Sequence, residues 1–247
     1  MPHDSVAIRD SARALTTPPW YEAEVGSNVE RFSSELGAWQ RHSVAVRYRG
    51  ASESHGVEAI AIRRFDKWNS AVALEGAKNL GRASYVALRA QFAPNADIVA
   101  RSDLSATLYQ SIGTGWELVP SLRVMSFPNE RVGIVGLGVG RYSGLWYLSA
   151  RGNEASQRGE HAFTATAEAR RYATDGSLNF LDGVLSLGRE VAVLGPNVVK
   201  LQQTSSAAIR GQKLLTRNFG ISATLSRNAI SSLPNRFGAG ISTFLRW

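Results

Sequence analysis

"FGAGISTFLRW", residues 237–247, is the stretch whose reading decides the fold. Taken with a period of two, Phe237, Ala239, Ile241, Thr243, Leu245 and Trp247 share one face, and Gly238, Gly240, Ser242, Phe244 and Arg246 share the other. The first face is mostly apolar. Chain ends ordinarily fray, so a strand that runs to the last residue needs a neighbour on each side. A closed sheet supplies both, because it has no edge, and an aromatic at the end of such a strand suits a membrane interface.

The same alternation recurs along the chain. It is clearest in 84–92, 102–111, 116–127, 132–140, 145–153, 163–172 and 219–227, and less regular in 20–28, 39–49, 57–65, 68–78, 180–189 and 198–210. With the closing segment this predicts an all-β protein, an antiparallel up-and-down transmembrane β-barrel of about 14 strands, with roughly 12 to 16 admissible because boundaries are the weakest part of such a reading. The barrel domain is expected over 19–247, preceded by a flexible periplasmic leader over 1–18, which is polar and contains "TTPP". Longer connections at 93–103, 189–200 and 227–236 all follow odd-numbered strands, which would put them on the outer side.

Composition narrows the class. No run approaches the roughly 18 to 20 apolar residues of a membrane helix, whereas a barrel strand needs only about 9 to 11 residues of alternating character and leaves mean hydropathy unremarkable. There is no cysteine, so disulfide scaffolds, thiolate metal sites and cysteine nucleophiles are excluded. The net charge of +8 comes from 28 basic residues, of which only Lys67, Lys78, Lys200 and Lys213 are lysines. The arginines are spread evenly and form no basic patch, which argues against a nucleic-acid partner. The start of the chain has no apolar signal core, so an exported protein would be a mature form whose signal peptide has been removed.

A soluble β-sandwich also alternates, but its polar face meets bulk water and should carry Lys and Glu. Here that face is rich in Ser, Thr, Gly, Tyr, Gln and Arg. The lumen and substrate path is assigned to Arg47, Arg63, Glu75, Arg89, Asp103, Tyr109, Glu117, Arg123, Arg151, Glu168, Arg170, Asp182, Arg236 and Arg246; Glu22, Glu24, Lys200 and Arg210 are further inward candidates. Arginine forks that pair bidentately with carboxylates on neighbouring strands suit a narrow wet lumen. Trp20, Tyr21, Trp39, Trp68, Trp116, Trp146 and Trp247 fall near strand ends, where aromatic girdles belong.

Barrel enzymes use rim histidines, and the chain has four. His3 lies in the leader, His55 in the turn "ASESHG", and His42 begins a strand or faces outward from one. His161, with Glu160 and Ser156 nearby, is the one arrangement that could serve as a base with an orienting carboxylate in a hydrolase or acyltransferase. A loop histidine is usually idle, so no catalytic residue is assigned. Scattered histidines without cysteine predict no metal site and no cofactor. The glycine run "GIVGLGVG", 133–140, has no following helix or lysine and reads as a place where the sheet bends and bulky neighbours pack.

The stretches "AIRRFDKWN" (61–69), "GRYSGLWYLSARG" (140–152), "AEARRYATDGSLNFLDGVLSLGRE" (167–190) and "GISTFLRW" (240–247) together resemble the YaiO-type outer-membrane β-barrel family, over most of the chain from about residue 20. The terminal strand also resembles the assembly signal of bacterial outer-membrane proteins. The resemblance implies a bacterial outer-membrane location and no established reaction. It also implies a narrow channel or accessory conduit in exopolysaccharide export or cell-surface biogenesis. The expected partners are outer-membrane lipid, a polysaccharide or other anionic glycan, and a periplasmic export component. A rim enzyme acting on lipid or glycan, and a non-conducting structural barrel, are the alternatives.

Overall fold

The computed structural model describes residues 19–34, 37–81, 83–174 and 179–247; the expected leader over 1–18 lies outside the described residues. The first seven strands are β1 (Trp20–Phe32), β2 (Trp39–Arg49), β3 (Glu53–Arg64), β4 (Lys67–Asn79), β5 (Ser84–Phe92), β6 (Ser102–Gly113) and β7 (Trp116–Ser126). The other seven are β8 (Arg131–Ser143), β9 (Trp146–Gln157), β10 (Glu160–Tyr172), β11 (Phe180–Gly195), β12 (Val198–Leu214), β13 (Phe219–Ile230) and β14 (Leu233–Arg246). Each pairs antiparallel with the next, and β1 pairs with β14 from Glu22 opposite Arg246 to Phe32 opposite Arg236, so the sheet closes. Trp247 joins the seam as well, since its amide donates to the Tyr21 carbonyl at 3.1 Å and its carbonyl accepts from the Tyr21 amide at 2.9 Å.

Alternation sorts the side chains. On β14 the outward residues Phe237, Ile241, Leu245 and Trp247 are 57%, 60%, 50% and 58% exposed, while Arg236, Ser242 and Phe244 on the other parity are buried. The outer face of the barrel is a continuous apolar band in which Val44, Val72, Leu122, Leu137, Leu185, Ile209 and Leu225 are all exposed. A soluble protein rarely shows water so large an apolar surface; facing acyl chains, the same surface has nothing to hide from. Tyr21, Trp116, Trp146 and Trp247 form an outward girdle at the end where the chain starts and stops, and Trp68, Phe163 and Phe237 lie toward the other. Outward Arg141 and Arg171 lay their guanidinium groups over Trp116 and Trp146 at 5.0 and 6.0 Å, so each cation stays near water while its stem covers the ring.

Two aromatics expected in the girdle belong inside. Trp39 is only 5% exposed and sits between Arg64 and Arg236, whose guanidinium carbons are 4.6 and 4.2 Å from its ring. Trp20 points inward under Arg246, at 5.6 Å. Each shares the parity of the buried residues on its own strand, and that parity, not nearness to a strand end, decides which side a ring takes.

Two of the three longer connections are hairpins. β11 and β12 run on to a two-residue turn at Pro196 and Asn197, and β13 and β14 meet at Ser231 and Ser232. Beyond the lipid band the strands keep their backbone ladder, while nothing there requires apolar residues on one face, so the alternation fades although the strand continues. His55 likewise belongs to β3 and not to a turn, stacking on Tyr48 with centroids 6.5 Å apart.

Candidate functional site

The lumen is built from the inward parity of all fourteen strands, and ion pairs tie neighbouring strands together. The largest group runs from β14 to β5. Arg246 Nε donates to Glu22 at 2.8 Å, and Glu22 also faces Arg49 at 3.4 Å and Arg47 at 3.7 Å. Arg47 bonds Glu24 at 2.6 Å and Glu75 through its Nε; Glu75 meets Arg89 at 3.4 Å; Arg89 meets Glu58 at 2.8 Å; and Glu58 meets Arg41 at 2.7 Å. Arg89 on β5 thus reaches over β4 to β3, a span that the concave inner face of a closed sheet shortens. Charge-assisted contacts of this kind satisfy the carboxylates that burial would otherwise penalise.

A second pair, Arg123 Nε to Asp103 at 2.8 Å, links β7 to β6. A third group lies near the end where the chain begins: Arg170, fully buried, meets Asp182 at 2.9 Å and Glu168 at 3.3 Å, and Arg210 also donates to Asp182 at 2.7 Å. Beside it the Tyr147 hydroxyl donates to Glu117 at 2.5 Å, across β8. That span explains the glycine run. A Cβ on Gly140 would come within 2.5 Å of the Tyr147 hydroxyl, and one on Gly136 would collide with Ser121 and Asn153, so the bare backbone of β8 leaves room for its neighbours' side chains. Tyr109 faces inward too, 2% exposed and stacked on Tyr85 at 4.3 Å.

Thirteen of the fourteen residues assigned to the lumen are therefore inward-facing, Arg236 among them, 4.0 Å from Glu30. Arg63 is the exception. It lies on the outer parity at the end of β3, bonded to the exposed Asp66 at 3.0 Å, and its neighbour Arg64 is the inward arginine. In "IRRF" both parities carry Arg, so residue type could not separate them. Lys200, the inward candidate on β12, is exposed near the outer end of that strand.

One inward arginine forms no ion pair among the described residues. Arg151 Nη2 is buried without a hydrogen-bond partner among the described residues. It opens a row in direct register across five strands: Arg151 faces Thr166, Thr166 faces Ser186, Ser186 faces Ser206, and Ser206 faces Asn228. All five are half-buried. Thr166 donates to Ser186 at 3.1 Å, and Asn228 donates to Glu30 at 2.8 Å. The row offers hydroxyls, an amide and a cation at mid-height. Sequence reasoning had no ground to select Thr166, because a single hydroxyl carries no signal until the register aligns four polar groups.

The outer mouth is crossed by the β5–β6 loop. Ala93, Ala96, Ile98, Val99 and Ala100 are 0 to 7% exposed and turn inward; Ala93, Ala96, Ile98 and Val99 cluster with Ile60, Ile62, Ala71 and Ala73, and Ala100 with Met125 and Val132. At the tip, Asp97 accepts from Lys67 at 2.6 Å, Asn69 accepts from the Asp97 and Ile98 amides at 3.2 and 3.1 Å, and the Asp97 carbonyl accepts from the Asn197 amide at 2.6 Å. The loop is thus a strap tied to β4 on one side and to the β11–β12 turn on the other. The hydrogen bond from the Lys67 ammonium holds the Asp97 carboxyl below its ordinary range. The signal for the strap was the apolar "IVA" inside an otherwise polar loop.

His161 is bonded to Glu154 at 2.7 Å, not to Glu160, and both side chains are 61% exposed on the outer parity. Ser156 is its cross-strand neighbour.

Solved structures share this architecture. A monoaromatic hydrocarbon channel, CymD, superposes with a TM-score of 0.63 at 7% identity, covering 98% of this chain and 93% of that one. A bacterial polysaccharide outer membrane secretin gives 0.54 at 8% identity over 92% and 98%. The Acinetobacter baumannii outer membrane protein Omp33 gives 0.54 at 9% over 92% and 99%. No curated protein sequence matches the chain. The model of the YaiO membrane beta barrel domain matches residues 21–190, from β1 into β11. With the closed fourteen-strand sheet and its apolar outer face, that match establishes the chain as a bacterial outer-membrane β-barrel, a member of the YaiO membrane beta barrel family.

Proposed function

We propose that the barrel is a narrow conduit for a hydroxylated, acidic solute, a saccharide chain in polysaccharide export, and that it carries no catalytic step. The observation that supports this most is the register-aligned row from Arg151 to Asn228, half-open to the lumen and ending on a guanidinium that forms no ion pair with a carboxylate among the described residues. Sugar hydroxyls exchange hydrogen bonds with Ser, Thr and Asn at little cost, and a carboxylate or phosphate on the chain answers Arg151. The ion pairs of the other strands hold the wall in shape and nearly cancel their own charge, with five arginines against four carboxylates in the largest group and equal numbers in the other two, so they add little net field along the path. The Glu154–His161 pair, being exposed on the outer face, is not placed to act on anything in the lumen.

The test is single-channel recording of the purified barrel in a planar bilayer with an acidic oligosaccharide, oligogalacturonate, and a neutral one of equal length. The acidic chain should block the pore in long events, and Arg151→Gln should weaken that block by about tenfold, the equivalent of one hydrogen bond to a charged group. Equal block by both oligosaccharides, unchanged in Arg151→Gln, would overturn the reading.

A further inference from the structure

The outer wall holds a second feature that transport does not use. Across β14, β1, β2, β3 and β4 the lipid-facing surface is hollowed into a groove of about 750 Å³. Its floor is a register row of small or polar side chains, Ser27 opposite His42, His42 opposite Ala61 and Ala61 opposite Ser70, where other parts of the outer face carry Leu, Val or Phe. Three small residues, Ser27, Ala61 and Ser70, with the flat ring of His42 between them, make a depression between taller walls, including Val25, Val72 and Phe92.

Arginine flanks the groove at one end only. The next outward row toward the outer mouth sets Gln40 opposite Arg63 and Arg63 opposite Trp68, with His42 stacked under Trp68 at 6.0 Å. Arg31, exposed, lies two outward positions beyond Ser27 on β1. On the outward parity of β1, β2 and β4 there is no carboxylate, and the single one on β3 is Glu53 at the opposite end. Asp66, the partner of Arg63, is 78% exposed in the hairpin turn, so a competing anion can take that guanidinium.

We propose that this groove binds one phosphorylated, acylated lipid of the outer leaflet, an acyl chain lying over Ser27, His42, Ala61 and Ser70 and the phosphate held by Arg63 and Arg31 beside Trp68. Charge complementarity selects that occupant: the groove has apolar walls over a floor without a carboxylate, and it is cationic where a headgroup would sit. A second copy of this chain would have to bring an anionic outer face of its own to the same row. Arginine suits the phosphate because its fork is always charged and binds bidentately, and Trp68 suits the boundary between acyl chain and headgroup. The proposal needs the membrane setting but not the conduit, so either can fail alone.

The experiment is native mass spectrometry of the full barrel, released from mild detergent, titrated with lipid A as the phosphorylated lipid and with phosphatidylethanolamine as the zwitterionic control. Lipid A should add one to one and more tightly than the control. Arg31→Gln with Arg63→Gln should weaken that adduct by about tenfold or more, as loss of charge-assisted contacts requires, while Ala61→Trp, which fills the floor and leaves both arginines, should also abolish the preference. All three substitutions face lipid, and a heat-modifiable gel band confirms that each variant folds. Equal binding of the two lipids, a lipid A adduct untouched by either variant, or a protein dimer that Ala61→Trp dissolves would each overturn the proposal.

Discussion

Replacing Arg47 by Met is the sharpest test of how the lumen wall is held. Arg47 is 8% exposed and contacts three carboxylates, Glu24 at 2.6 Å, Glu22 at 3.7 Å, and Glu75. After the substitution Glu22 keeps Arg246 at 2.8 Å and Arg49 at 3.4 Å, and Glu75 keeps Arg89 at 3.4 Å. Glu24 keeps no cation among the described residues. Removing one partner of a buried pair costs about 3–5 kcal/mol; the Glu24 side chain is 30% exposed, so water takes up part of the orphaned charge and the lower end, about 3 kcal/mol, is expected. The matched control is Arg63→Met, whose exposed pair with Asp66 contributes about 0–1 kcal/mol. Adding Glu24→Gln to Arg47→Met should restore about 1–3 kcal/mol, since the two residues share the charge being tested. Urea unfolding from lipid vesicles, followed by tryptophan fluorescence and by the heat-shifted gel band, reads all four proteins. A loss for Arg47→Met no larger than that for Arg63→Met, or no recovery in the double variant, would refute the reasoning.

Further outcomes follow from the strap, the glycine run and the rim histidine. Because Lys67 lowers the Asp97 carboxyl, the latch is fully present above the ordinary aspartate value of about 4 and is lost as pH falls through the depressed one; channel openings should therefore become more frequent below about pH 4, and Asp97→Asn should give that behaviour at neutral pH, as single-channel recording will show. Gly140→Ala places a Cβ 2.5 Å from the Tyr147 hydroxyl and should destabilise by about 1–3 kcal/mol, whereas Gly133→Ala meets nothing within 4 Å and should unfold at the same urea concentration as the parent. His161→Ala removes only an exposed pair with Glu154 and should leave folding and conductance unchanged; loss of a hydrolytic or acyl-transfer activity in that variant would point to the rim enzyme instead.

The strand pattern and the closure were legible because period-two alternation is the direct imprint of a wall with lipid on one side and water on the other. Where lipid stops, the imprint stops: β11, β12, β13 and β14 continue past the band with no alternation to mark them, and two hairpins read as loops. The inward charges were legible for the same reason, and Arg63 was misplaced because Arg64 beside it offered the same residue type on the other parity. Register was beyond reach. Which Ser meets which Thr depends on hairpin turns of two residues, and a shift of one position turns a face inside out, so neither the Arg151 row nor the groove over Ser27 and Ala61 could be assembled from the sequence. The strap needed tertiary knowledge too, because an apolar "IVA" in a loop says that it is covered and not by what.

The conduit reading stands or falls on whether a saccharide passes once the mouth is released. Proteoliposomes carrying the barrel with Lys67→Met and Asp97→Asn, and parallel ones with Arg151→Gln added, are loaded with fluorescent oligogalacturonate and its efflux is followed. Efflux that is slow in the parent, rises when the strap is released and loses its preference for the acidic over the neutral oligosaccharide when Arg151 is replaced is the predicted result. Liposomes that retain both oligosaccharides whether or not the strap is tied would contradict it, leaving a barrel whose ion pairs and strap close the lumen for good.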